Sequence, residues 1–176
     1  MRNILPIVQT DREDIRERKM NIQETVNSNQ LNFDGIPSSY YLLGLLSAFE
    51  NRFQAMADSL MKEISWKQFF AIICISMCKE PPTIRELSEV LGSSHQNVKQ
   101  ILLKLESKGF VEFQSDVEDK RKQRIVLTKK CQKFCEKNNE MSIKIMAKMF
   151  EGIPEKDLKT TIKTITKIES NLSEVK

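Results

Sequence analysis

The segment from Thr83 to Gly109, TIRELSEVLGSSHQNVKQILLKLESKG, holds two helical signals with almost nothing between them. Thr83 and Glu86 have the spacing of a capping box, in which each side chain satisfies a backbone N–H left open at a helix start. Ile84, Leu87, Val90 and Leu91 then recur at helical spacing. Gly92 ends that run, because glycine takes the left-handed conformation of a helix end without a Cβ penalty. Ser93 and Gln96 form a second capping box and open a helix expected over residues 93–108, with Val98, Ile101, Leu102 and Leu105 as its apolar stripe and Gly109 after its end. Two helices joined by so short a turn cross at a steep angle, so the segment predicts a helix-turn-helix.

The stripe fixes what the second helix shows to solvent. At about 100° per residue, Gln96, Asn97, Gln100 and Lys104 lie roughly opposite it, with Ser94 and Lys99 beside them near the N-terminal end. Asn and Gln side chains pair bidentately with adenine edges in a major groove, while Ser and Lys hold phosphates or guanine. The same pattern also fits an ordinary solvated face. His95 falls towards the edge of the packed stripe.

The residues that follow add weight to the first reading. Phe110–Gln114 and Arg124–Thr128 alternate with period two, placing Val111 and Phe113 against Ile125 and Leu127 in a hairpin whose loop is 115–123. Lys120, Arg121, Lys122 and Arg124 crowd four cations into five positions at its tip, where they repel one another unless a polyanion meets them. From Ser93 to Lys130 there are nine Lys or Arg and five Asp or Glu, a net of +4 that equals the excess of the whole chain. The basic footprint is therefore local.

The stretch DVEDKRKQRIVLT resembles the wing of the MarR family of winged helix-turn-helix transcription regulators, whose D-x-R motif here is Asp119, Lys120 and Arg121. The resemblance covers most of the chain, from about Tyr40 onward. It implies that Arg121 reaches a minor groove beside the recognition helix and that Asp119 helps to hold the wing. It also implies a sequence-specific DNA-binding regulator, most often a repressor. Gln96, Asn97 and Gln100 would then read base edges, with Ser94, Lys99, Lys104, Lys120, Lys122 and Arg124 around them at the backbone. Glu118 departs from the pattern, since many relatives carry another arginine there, and it lowers the charge of the wing. Family members often add a small-molecule effector pocket where the dimer helices meet the winged core. Tyr40, Tyr41, Trp66 and Phe69 fit such a pocket, and they fit a core equally well.

The remaining chain reads as helices. With 176 residues, 40% of them apolar, and only five Gly and five Pro, it suits one mainly α-helical protein with a substantial core. Residues 1–37 form an extension, either an arm on a partner subunit or a mobile segment, with a thin helical pattern over 11–30. Residues 38–63 read as a long amphipathic helix with a wide apolar face. Ser65 and Gln68 form another capping box before WKQFFAIICISMC, which is apolar almost all round and therefore expected to be buried, and Pro81 and Pro82 stop it. The winged core is thus 64–128. Thr128 is a good N-cap for a helix running to about Phe150. A last helix, 155–172, spaces Leu158, Ile162, Ile165, Ile168 and Leu172 as a seam that wants a partner helix. A winged core of this size cannot cover three long amphipathic helices, so 38–63 and 129–176 are expected to form a homodimer interface. Such a dimer reads a pseudo-palindrome in double-stranded DNA with half-sites about 10 bp apart.

Other classes find less support. No run of about 18 apolar residues is present, and the N-terminus lacks the pattern of a signal peptide, so no membrane role and a cytoplasmic location with reduced thiols are expected. Catalytic motifs are missing, with no glycine-rich phosphate loop and a single histidine. No cofactor or metal is expected. Cys74 with Cys78, and Cys131 with Cys135, share a C-x3-C spacing that sets both thiols on one helical face. Apolar neighbours favour buried, inert cysteines, and a thiol-based redox regulator is the alternative. A winged helix that docks protein in place of DNA is a further one, because fold does not fix function.

Overall fold

A computed structural model describes residues 35–175, and the helical pattern over 11–30 lies outside them. Along the chain come α1 (Ser38–Leu60), α2 (Trp66–Met77), α3 (Ile84–Leu91), α4 (His95–Ser107), β1 (Val111–Ser115), β2 (Gln123–Leu127), α5 (Lys129–Met149) and α6 (Glu155–Leu172). They fall into two compact units, one ending at Ser59 and the other beginning at Leu60. The first contains nearly all of α1, in which Phe49 and Phe53 stack with ring centroids 5.9 Å apart.

The helix expected over 38–63 ends three residues early. Ile64 is buried in the core of the second unit and Ser65 caps α2, so 61–63 must connect and cannot continue the helix. Ser65 Oγ accepts from Gln68 N, and Gln68 Oε1 accepts from Ser65 N at 3.1 Å, which is how a buried glutamine stays satisfied. α2 is less enclosed than its apolar sequence suggests. Ala71, Ile72, Cys74 and Ile75 face inward, while Phe70 and Met77 face out, Met77 at 78% exposure. Only one side of the helix meets the winged core, so the other has nothing in this unit to pack on.

α3 and α4 make the helix-turn-helix. Thr83 and Glu86 form the capping box, and Gly92 turns the chain at φ +58°, in the left-handed region. The second cap sits one residue later than the sequence pattern implies. Ser94, not Ser93, is the N-cap, its hydroxyl accepting from Asn97 N, and the helix proper begins at His95. Ser93 N is already taken by Ser88 O, since Gly92 and Ser93 both return N–H bonds to the end of α3. Val90, expected in the packed stripe, is 58% exposed. α3 has only eight residues, and Ile84, Leu87 and Leu91 suffice for its inner face.

The hairpin pairs in the expected antiparallel register, Val111 opposite Leu127 and Phe113 opposite Ile125. Burial alternates along β1, so Val111 goes to the core and Glu112 to solvent. Around these strands the core closes with Leu87, Val98, Leu102, Leu105, Phe110, Ile125 and Cys131, all essentially inaccessible. Phe110 is gripped on two sides, by the Phe134 ring edge-on at 5.1 Å and by Lys130 Nζ over its face at 5.1 Å. Thr128 joins the parts, donating to Gly109 O at 2.7 Å while its oxygen caps α5 through Cys131 N.

Leu102 lies where α4 meets this core. Leu102→Ala is expected to lower unfolding stability by about 2–5 kcal/mol, the range for truncating a buried leucine. Gln100→Ala, on the exposed face of the same helix, should shift it by no more than about 0.5 kcal/mol. Urea denaturation of both variants checks the contrast.

Candidate nucleic-acid interface

With Val98, Leu102 and Leu105 fully buried, the opposite face of α4 is fixed in solvent. Gln96, Asn97, Lys99, Gln100 and Lys104 all stand exposed there, as does His95 at the first turn. Ser94 is also exposed, but its hydroxyl serves the cap. Asn97 is partly tied down, since its Nδ2 donates to Ser93 Oγ at 2.8 Å. That bond engages the amide nitrogen, and the amide oxygen is the acceptor end of an exposed side chain.

The wing loop is built by two aspartates. Asp116 Oδ1 accepts from the backbone N–H groups of Glu118 and Asp119 at 2.9 and 3.0 Å. Asp119 Oδ1 accepts from Arg121 N at 3.1 Å and from Arg121 Nε at 3.2 Å. Short aspartate side chains hold loop N–H groups in this way because they can reach their own backbone two or three residues on. The loop is closed at its base by Asp116 N to Lys122 O and Lys122 N to Asp119 O. Lys120, Arg121 and Lys122 remain exposed on this scaffold, with the Arg121 side chain at 92%.

Arg124 behaves differently from the other wing cations. Its side chain is 25% exposed and turns back into the protein. Nε donates to Asp116 Oδ2, and Nη1 donates to Pro81 O at 3.2 Å and to Glu86 Oε2 at 3.1 Å. The outward cluster is therefore three cations, because the pleat of β2 points residue 124 towards the start of α3.

Between the wing and α3 lies an open cleft of about 720 Å³, lined by Arg85, Glu89, His95, Lys120, Arg121 and Lys122 among others. Arg85 and His95 were not singled out by the sequence pattern as contact residues. Arg85 sits on a helix whose charges read as solvated surface, and His95 sits at a stripe edge, so only the folded arrangement sets them beside the wing. Among the described residues no helix is long and apolar enough to cross a membrane.

A family model described as the MarR family matches residues 64–122, which span α2, the helix-turn-helix and the wing through Lys122. Residues 64–122 are a MarR-family domain. Solved structures agree in fold. A MarR/EmrR family transcriptional regulator from Acinetobacter sp. ADP1 superposes with a TM-score of 0.70 at 19% identity, over 82% of this chain and 99% of that one. MepR of S. aureus, solved with DNA, gives 0.66 at 19% identity over 78% and 99%. BpsR of Bordetella bronchiseptica, whose DNA binding is regulated by 6-hydroxynicotinic acid, gives 0.62 at 15% over 72% and 91%. The architecture is a winged helix-turn-helix with long helices before and after it.

Of the four aromatic residues expected to line an effector pocket, Trp66 and Phe69 lie together at the start of α2, 6.2 Å apart. Tyr40 and Tyr41 lie on α1, in the other unit. Phe69, with Met61, Glu63, Phe134, Asn138 and Met141, lines a hollow of about 220 Å³ beside the MarR-family domain. Trp66 stacks on Phe70 instead. The four cysteines are free thiols, Cys74 and Cys131 buried and Cys78 and Cys135 partly so. Burial, reinforced by Cys135, pushes the Cys131 thiol up to about 12, and burial likewise raises Cys74. Both stay protonated at neutral pH, which withholds the thiolate that reactive cysteines need.

Asp116 is held at about 2, first by the Asp119 N–H, then by Arg124 and the Glu118 N–H. A folded-state value below the unfolded one, ordinarily 3.8, means the wing gains from this carboxylate above about pH 4 and loses it as pH falls towards 2. In a carboxyl-carbon NMR titration, Asp116 should titrate with a midpoint near 2, and the Glu118 and Asp119 amide shifts should move with it.

Proposed function

We propose that this chain is a homodimeric, sequence-specific DNA-binding transcription regulator, acting as a repressor. One observation carries the reading: the polar face of α4 and the three-cation wing are both exposed, and the open cleft between the wing and α3 has His95, at the first turn of α4, and Arg85 in its lining. In this reading α4 enters the major groove with Gln96, Asn97 and Gln100 at base edges. Ser94, Lys99, Lys104, Lys120 and Lys122 approach phosphates, Arg121 reaches the adjacent minor groove, and Asp119 keeps Arg121 in place. The structural likeness to MepR, which was solved on DNA, supports the same assignment.

Homodimerisation rests on the apolar residues that α1, α5 and α6 leave uncovered, among them Leu43, Phe49, Ile143, Ile162 and Leu172, with Ile162 at 64% exposure. Isolated surface leucines are ordinary, but apolar rows on three helices mark an association surface. A two-fold dimer would carry two copies of α4 at a separation set by one DNA turn, about 10 bp. In sedimentation equilibrium the protein should run as a dimer, and Ile162→Asp should shift it towards monomer.

Effector control belongs to the same reading, and the hollow at Phe69 is its site. Two connections lead from it to the end of α4. Glu63, on its rim, accepts at its carbonyl from Lys108 Nζ at 2.6 Å, and Lys108 is the C-terminal cap of α4. Phe134, in its wall, meets the Phe110 ring that follows. A small apolar ligand with a polar group would press on both.

The deciding measurement is fluorescence anisotropy against DNA from upstream of the protein's own gene and against a scrambled duplex, across a salt series. The native duplex should bind more tightly, with log affinity falling linearly in log salt. Arg121→Ala should weaken that binding by about 1–3 kcal/mol. Equal, weak and salt-labile binding to every operator candidate would point to an acidic protein partner for the wing.

A further inference from the structure

We infer that Arg124 is a positioning residue: it clamps the wing to the start of the helix-turn-helix, so that Lys120, Arg121 and Lys122 present to the same duplex that α4 reads. The inference rests on the DNA-binding reading above for its consequence, but the clamp itself is a property of the free protein.

The guanidinium joins three separate pieces of chain. Asp116 is the first residue of the wing loop, Pro81 lies in the segment leading to α3, and Glu86 is the residue whose carboxylate caps α3. Both carboxylates already have a structural task. Asp116 Oδ1 folds the loop through Glu118 N and Asp119 N, leaving Oδ2 for Arg124. Glu86 Oε2 accepts from Thr83 N at 2.7 Å and from Arg124 Nη1 at 3.1 Å, so one oxygen serves both the helix cap and the wing. One residue further along β2, the Ile125 N–H donates to Pro82 O at 2.9 Å. A planar fork with donors in fixed directions suits such a junction, and a lysine ammonium does not reproduce it. The sheet has only two strands, anchored in the core at Val111 and Ile125, so the guanidinium acts beyond that anchor, at the loop end.

Two substitutions separate the clamp from a phosphate contact. Arg124→Lys keeps the charge, so a phosphate-contacting residue would retain affinity, whereas a clamp loses its forked geometry. Asp116→Asn keeps an oxygen for the two loop N–H groups but sets an amide against the Arg124 donors. It also removes a negative charge near the DNA-facing side, so simple electrostatics predicts tighter binding, and the clamp predicts weaker. Glu86→Gln, which still caps a helix, should act in the same direction as Asp116→Asn.

Two readings are to be taken on each variant: amide hydrogen exchange of Ile125 and Lys122 in the free protein, and affinity for the preferred duplex. Thermal melts identify any variant that is globally unfolded, and the other two then decide. The expected result is faster exchange at Ile125 in all three variants, with affinity falling roughly tenfold, the scale of losing one charge-assisted hydrogen bond. Unchanged exchange in Arg124→Lys and Asp116→Asn would overturn the clamp. So would tighter DNA binding by Asp116→Asn. If the unaltered protein discriminates no duplex, the DNA-binding reading fails, and the exchange result still judges the clamp.

Discussion

The apolar stripe of α4 is the constraint on which the interface depends. Val98, Leu102 and Leu105 are buried to completion, and each packs where α2, α3 and the hairpin converge. A helix gripped along one stripe has no rotational freedom, so the polar side chains opposite it hold a fixed direction. Ser94 and Gly92 set where that helix starts, and Gly109, at φ +73°, lets the chain leave it. A Cβ at Gly109 would meet nothing closer than Lys130 Cδ at 3.8 Å, so its requirement is for the backbone conformation and not for space.

The wing illustrates how like charges are managed. Four cations in five residues would repel, yet only three of them share solvent. Asp119 shields Arg121 from its neighbours while leaving it exposed, and Asp116 with Glu86 draws Arg124 away altogether. The result is a loop whose conformation is written in hydrogen bonds from two aspartates and whose outward face is nonetheless positive. The Arg121–Asp119 bond faces solvent and contributes to orientation more than to global stability, whereas the Asp116–Arg124 pair is largely covered.

A second theme is that the MarR-family domain is tied at the far end of α4 as well as at its start. Lys130 Nζ donates to Lys108 O and Lys108 Nζ donates to Glu63 O, which runs a line of contacts from α5 through the end of α4 to the segment before α2. The terminal carbonyls of a helix lack partners within it, and lysines placed there satisfy them and suit the negative end of its dipole. A movement of the segment before α2 would therefore be felt at the end of α4.

Much of this was legible in the sequence because it depends on neighbours along the chain. The capping boxes at Thr83 and Ser65, the cap at Thr128, the pause at Gly92, the hairpin register and the buried stripe of α4 all follow from spacing and local hydrogen bonding. The exceptions share a cause. Ser94 replaced Ser93 as a cap because Ser93 N was already bonded to the preceding helix. Val90 and Met77 stayed outside because no partner surface reached them. Ile64 went inside because it bridges to a core assembled from distant segments. Arg124 looked like its three cationic neighbours until the fold brought Pro81 and Glu86, some forty residues earlier in the chain, within reach of its guanidinium. Local periodicity determines what a helix or strand can be, whereas the destination of a long charged side chain is decided by which acceptors the tertiary structure places beside it.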